Sequence, residues 1–211
     1  MNTSVLFFFL SNIVATALLG GKFAMRSDSV FKYFGFGLLL DAAAFALWTV
    51  GYMNPGQLLP FVTYGAIAFL ISLVVFLYAS LQQTPASTRL FVTLLGAAAL
   101  IGIFYIGNSS SNSAYISTEG FLFFNLTPLV QMLYLFGLAF ASLPLIDIVA
   151  SKLKAPYSAL VRYGFITEVV GGIMLITNKD VQVLYITGWI IGIVYFALWA
   201  TLLFDRKALS N

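Results

Sequence analysis

The chain contains no cysteine and no histidine. Without cysteine there is no disulfide, no thiol nucleophile and no thiolate metal site. Without histidine there is no imidazole base and no imidazole ligand for zinc or haem. These absences exclude Ser-His-Asp hydrolases, Ser-His intramembrane dyads, zinc metalloproteases and histidine-ligated haem carriers. Charge is scarce too. Asp, Glu, Lys and Arg make up 8% of 211 residues, against ~25% in a soluble domain. A chain so poor in charge cannot cover a water-facing surface. The net charge of +3 comes from ten Lys and Arg spread thinly over short segments, which excludes a nucleic-acid-binding face.

What is present is long apolar sequence, 61% hydrophobic overall. Crossing a bilayer as a helix takes ~20 apolar residues. Seven stretches reach or approach that length: Ser4–Gly21, Phe31–Tyr52, Leu58–Leu81, Arg89–Gly107, Gly120–Ala150, Tyr157–Thr177 and Val181–Phe204. The gaps hold turn and loop chemistry. Met53-Asn54-Pro55-Gly56 forms one turn, Gln82-Gln83-Thr84-Pro85 ends the third stretch, and Asn108 to Glu119 reads as a Ser/Asn-rich loop. Ser151 to Pro156 carries Lys152 and Lys154, and Asn178-Lys179-Asp180 is the tightest link. No gap is long enough for a soluble domain. The expectation is one all-α domain over 1–211, a polytopic membrane protein of seven helices. The fifth stretch exceeds a single crossing, with Pro128 and Pro144 near its ends. It is expected to be a kinked or strongly tilted helix, or a helix with an interfacial extension.

Orientation follows from the basic residues. With the first loop inside, the inner side holds Lys22, Arg26, Lys32, Arg89, Lys152, Lys154, Arg162, Arg206 and Lys207, and the outer side holds Lys179. This asymmetry places the N-terminus outside and the C-terminus in the cytoplasm of a multi-pass cell-membrane protein. Ala15-Thr16-Ala17 imitates a signal-peptide cleavage site, but no positive charge precedes Val5, so cleavage is not expected.

A faint internal repeat runs through the pattern. Lys32-Tyr33-Phe34-Gly35-Phe36 enters the second stretch and Arg162-Tyr163-Gly164-Phe165 enters the sixth, each followed by an acid, Asp41 and Glu168. Val62-Thr63-Tyr64-Gly65 is echoed by Ile186-Thr187-Gly188. A three-plus-one-plus-three arrangement would account for it, as parallel repeats do in transporters. In helix number and orientation the chain resembles microbial rhodopsins, SWEET-type sugar transporters and PnuC-type vitamin transporters. It departs from the rhodopsins in having no lysine between Val181 and Phe204 for a retinal Schiff base, and from SWEET proteins in having no proline in the first stretch. No retinal or other cofactor is expected.

Asp41 lies ten residues into the second stretch, ~15 Å along a helix and so near mid-membrane. Glu168 lies eleven residues into the sixth, at nearly equal depth. An ionisable group there costs at least ~2.5 kcal/mol and commonly faces the bundle interior. Gly37, Phe45 and Trp48 share the face of Asp41, and Gly164, Gly171 and Gly172 share that of Glu168. No Lys or Arg shares their depth, so at least one of the acids is expected to carry its proton at neutral pH. Asn12, Gln131, Asn125, Thr16, Thr49, Thr63, Tyr64, Thr167 and Thr187 could line a polar cavity with them, and Trp48 and Trp189 could add aromatic walls. Each of these also has an ordinary reading, as an interhelical hydrogen bond, a packing aromatic or an interface aromatic. Asp147 is expected to pair with Lys152 and Lys154, and Gly188–Gly192 to serve packing within the bundle.

The expected function is a small-molecule or ion-coupled transporter. The candidate site is Asp41, Glu168, Asn12, Gln131, Tyr64, Trp48 and Trp189. The alternative is a non-retinal sensor or an accessory subunit of a membrane complex. Expected partners are the lipid bilayer, a small ligand or coupling ion, and a second copy or other subunits. Paired acids can do acid–base work, but no catalytic motif accompanies them, and no enzymatic activity or metal site is expected.

Overall fold

Short polar side chains start the first helices. Asn2 precedes α1 (Thr3–Ala24), and its Oδ1 accepts from the Ser4 N–H at 2.9 Å. Asp28 precedes α2 (Ser29–Met53) and accepts from the N–H groups of Val30 at 2.9 Å and Phe31 at 3.2 Å. Each side chain satisfies donors that the first helical turn leaves over. Pro55 opens a 3-10 turn (Pro55–Gln57) that leads into α3 (Leu58–Ser80). Pro85 stands just before α4 (Ala86–Ser109), and its carbonyl accepts from the Arg89 N–H at 2.9 Å.

The computed structural model describes residues 2–109, 113–125, 128–155, 157–164, 190, 192–197 and 199–200, and most of these are helical. Among the described residues, three segments are long and apolar enough to cross a membrane: α1, α2 and Pro55–Ser80. Residues 157–164 and 192–197, within the sixth and seventh apolar stretches, are helical as well. Glu168, Thr167, Thr187 and Trp189 lie outside the described residues.

The described residues are mostly helical, but the expectation that the fifth helix starts at Gly120 is corrected. Strands β1 (Ser113–Ile116) and β2 (Leu122–Asn125) form an antiparallel hairpin, and α5 runs from Pro128 to Ser151. The register pairs Ser113 with Asn125 and Ile116 with Leu122. Gly120 makes the turn at φ 82°, a left-handed conformation that glycine adopts without strain. A short apolar run with aromatic residues fits a half-buried strand as well as a helix, and periodicity alone does not separate the two. The correction accounts for the excess length of the fifth stretch: its first residues belong to the hairpin. Pro128 opens α5, where its missing N–H costs nothing, and Pro144 lies inside that helix.

Helix α2 is the centre of the first half, packed along α1 on one side and α3 on the other. Helix α5 packs on α3, and α4 on α3 and α5. The buried apolar residues form two clusters. One, toward the hairpin, joins Val5, Phe8 and Phe9 of α1 to Ala44, Trp48 and Tyr52 of α2, Val62 of α3 and Leu122 of β2. The other, toward the α1–α2 link, joins Leu19 and Phe23 to Phe34 and Leu38, to Leu73 and Phe76, and to Leu145 and Val149. Gly164 faces Val194 and Tyr195, and Gly192 faces Ser11 of α1. The glycine at 192 thus serves packing inside the bundle.

Candidate functional site

The register between α2 and α3 follows from three contacts. Trp48 covers Gly65: a Cβ there would lie 2.3 Å from the indole nitrogen. Seven residues earlier on α2, Asp41 meets Ser72, seven residues later on α3. A turn further on, Gly37 admits the ring of Phe76, which a Cβ would meet at 2.1 Å. Antiparallel helices with side chains stacked every three or four residues produce this ladder. Asp41 therefore looks into the α2–α3 seam, on the face that the spacing of Gly37 and Trp48 indicated.

Asp41 is 1% exposed and Ser72 is fully buried. Their side chains are hydrogen-bonded to each other, and the Ser72 hydroxyl also donates to the Phe69 carbonyl at 2.8 Å. Asp41 sits between Leu38 of one apolar cluster and Ala44 of the other. On α1, Asn12 sits likewise between Phe9 and Ala15. The two residues mark one polar level between the clusters. The packing of α1 on α2 agrees with this: Gly20 faces Gly35 on one side of the level, and Phe8 and Phe9 meet the Phe45 ring on the other. Asn12 is 2% exposed, and its Nδ2 donates to the Phe8 carbonyl at 2.8 Å. Thr16, 3% exposed, donates to the Asn12 carbonyl at 2.6 Å. Such bonds satisfy a side chain within its own helix.

The remaining candidates divide. Trp48 is buried, and its Nε1–H donates to the Val62 carbonyl at 3.2 Å. Its ring lies edge-on to Phe45 and Phe124. This Trp packs α2 on α3 and the hairpin. Thr49 is buried and donates to the Phe45 carbonyl of its own helix at 2.7 Å. Tyr64 is 58% exposed and lies outside the α2–α3 seam. Its neighbour Gly65 occupies the seam, and the ~100° step per residue of a helix turns Tyr64 out of it. Gln131 stands in the first turn of α5, and its side chain lies outside the described residues. Asn125 ends β2 opposite Ser113. Ser72 went unnoticed in the sequence, because a lone serine in an apolar helix carries no signal of its own. Its spacing from Gly65 and Phe76 mirrors that of Asp41 from Trp48 and Gly37, and that symmetry is the clue that could have found it. Among the described residues no cluster of acidic side chains could hold a metal ion.

A second charged site lies at the α1–α2 link. Lys152, just past α5, pairs with Asp28, and its Nζ also stands 5.9 Å from the centre of the Phe31 ring. Asp147 pairs instead with Arg162 at 3.3 Å. The expected pairing of Asp147 with Lys152 and Lys154 is thereby corrected. The helix ends at Ser151, and the chain beyond it turns Lys152 toward the cap of α2. Partial burial alone would raise the Asp28 carboxyl. The hydrogen bond and charge of Lys152 and the N–H groups of Phe31 and Val30 outweigh it and hold the group below the usual aspartate range.

No family model, curated protein or solved structure matches the chain.

Proposed function

We propose that the protein is a multi-pass transporter of the cell membrane, with seven spans and the N-terminus outside, whose coupling ion or small ligand engages a polar level at mid-membrane. The observation that carries this reading is Asp41. It is a carboxyl group 1% exposed at the centre of an apolar helix, hydrogen-bonded to a buried serine on the next helix. An acid kept at such depth is costly and commonly marks an ion or substrate path. Asn12 lies at the same level. The reading assigns Glu168 a place in the same cavity from the second half of the chain, and gives Gln131 and Trp189 its outer side. Transporters commonly place substrate and coupling-ion sites near the midplane, at a repeat interface.

The test is electrical. Purified protein is reconstituted into liposomes on a solid-supported membrane. Current is recorded as gradients of H+, Na+ or K+ are imposed with a panel of sugars, amino acids and amines. Wild type is expected to pass current under at least one combination, and Asp41→Asn, checked for folding by thermal unfolding, to lose it. Silence of the wild type across the panel overturns the transporter reading.

A second reading, as an accessory subunit, draws on α4. That helix touches only α3 and α5 appreciably among the described elements and exposes Leu90, Phe91, Leu94, Leu95 and Ile101. Gentle solubilisation that yields the chain always alone counts against it.

A further inference from the structure

Ser72 has one hydroxyl proton and two oxygens within reach: a carboxyl oxygen of Asp41 and the carbonyl of Phe69. A hydroxyl donates a single hydrogen bond and accepts others. If Asp41 is ionised, Ser72 must choose between them. If Asp41 is protonated, its O–H donates to Ser72 Oγ, the Ser72 O–H donates to Phe69, and both contacts are hydrogen bonds at once. The protonated form thus lets the Ser72 hydroxyl make both of these hydrogen bonds at once. Burial acts in the same direction, since a charged carboxylate at this depth loses far more hydration than a neutral acid.

Among the described residues, the other charged groups on the helices packed around Asp41 sit toward helix ends. Lys22 is in the last turn of α1 and Lys32 in the first turn of α2. Helix α3 carries only the tyrosines Tyr64 and Tyr78 as titratable groups, Arg89 is in the first turn of α4, Asp147 is near the C-terminal end of α5, and Lys152 lies just past it. Glu168 and Lys179 lie outside the described residues.

We propose that Asp41 and Ser72 form a proton-binding site, with Asp41 protonated in the resting protein and Ser72 relaying the bond to the Phe69 carbonyl, so that the ion exchanged at the mid-membrane level is H+. The proposal rests on the transporter reading only for the use made of the proton. When the site empties, the carboxylic O–H bond breaks, the proton leaves to water or substrate, and Ser72 turns its own O–H toward the carboxylate. The balance is one proton out and one hydrogen bond redirected.

The test is infrared spectroscopy of the full chain in H2O and D2O at neutral pH, which reads the carbonyl stretch of protonated carboxylic acids without requiring transport. Wild type is expected to show such a band, and Asp41→Asn to lose one acid equivalent per chain while Glu168→Gln retains it. Ser72→Ala, which removes only a hydroxyl, is expected to move the Asp41 band to higher frequency and keeps the proposal testable should Asp41→Asn fail to fold. An unchanged acid band in Asp41→Asn overturns the proposal, as does an unmoved band in Ser72→Ala. Silent electrical recordings with the band present would sink transport and leave the protonated site standing. Current driven only by Na+ or K+, with no acid band, would do the reverse.

Discussion

Gly35 lies against the backbone of α1. A Cβ on Gly35 would stand 2.6 Å from the Gly20 carbonyl oxygen and 2.2 Å from the Ala24 nitrogen. The obstacles are backbone atoms, which cannot rotate away, so any side chain here pushes α1 off α2. Gly35→Ala is expected to lower stability by about 1–3 kcal/mol, the usual cost of overpacking. Gly21 offers the control: among the described residues no atom of another helix lies within 4 Å of its Cβ position. Gly21→Ala is expected to be neutral or to stabilise by up to about 0.5–1 kcal/mol, because alanine favours the helix. Thermal unfolding of the two variants in the same detergent decides. Equal effects would mean that the helix crossing is not where Gly20 and Gly35 put it.

The Trp48 indole over Gly65 yields a second prediction. Its Nε1–H bond to Val62 depends on the ring lying flat in the space that Gly65 leaves. Gly65→Ala is expected to cost about 1–3 kcal/mol by the same overpacking argument and to shift the emission of the buried Trp. Tyr64→Ala, one residue away on an exposed side chain, is expected to leave both stability and emission nearly unchanged. If Tyr64→Ala instead abolished ligand-dependent current, its outward placement on α3 would be wrong.

The contrast between those neighbours shows where sequence reasoning reached and where it stopped. Spacing of three, four and seven residues on one helix is visible in sequence, so the shared face of Gly37, Asp41 and Trp48 was legible. The identity of the partner is a register between two helices, and no single helix encodes it. Ser72 was missed for that reason. The start of α3 was legible because Asn54-Pro55-Gly56 has a local turn mechanism, whereas the caps Asn2 and Asp28 of α1 and α2 were not singled out. The hairpin was not, because Leu122 to Asn125 continues an apolar run without a polar break. The turn itself was marked, by Gly120 after Glu119. Asp147 was matched with the lysines nearest in sequence, whereas the ion pair it makes crosses to Arg162 beyond the link.

Asp28 predicts a specific pH dependence. Its carboxyl is held below the usual aspartate range in the folded chain. A depressed acid adds stability that is fully present above its unfolded pKa of ~3.9 and is lost as pH falls through the folded value. Stability should therefore decline in strongly acid solution, and less so in Asp28→Asn. Asparagine still caps a helix, so Asp28→Asn isolates the charge, while Asp28→Ala removes charge and cap together. The side chains of Lys152 and Asp28 are 29% and 39% exposed, and solvent screening limits such a pair to ~1 kcal/mol or less. Asp28→Ala is expected to cost about 1 kcal/mol more than Asp28→Asn, the value of the cap. Thermal unfolding across acid pH for the two variants and Lys152→Met checks this. An acid response in Lys152→Met as steep as in wild type would disconnect the pair from the titration.

Tyr52 joins the hairpin to the start of the chain. Its hydroxyl accepts from the Asn2 N–H at 2.7 Å and donates to the Gly120 carbonyl at 2.6 Å, while the Asn2 side chain donates to the Glu119 carbonyl at 3.2 Å. One oxygen thus bonds the beginning of α1, the end of α2 and the turn of the hairpin. Tyr52→Phe keeps the ring in its cluster and removes only that oxygen, leaving one donor and one acceptor to find other partners. The expected loss is about 1–3 kcal/mol. More telling is its distribution. Amide hydrogen exchange should accelerate in β1, β2 and the first turn of α1, while the Gly20–Gly35 crossing at the other end stays protected. Uniform acceleration through α1 and α2 would mean that Tyr52 supports the whole bundle, and the hairpin would then be part of the core rather than a cap tied on by one hydroxyl.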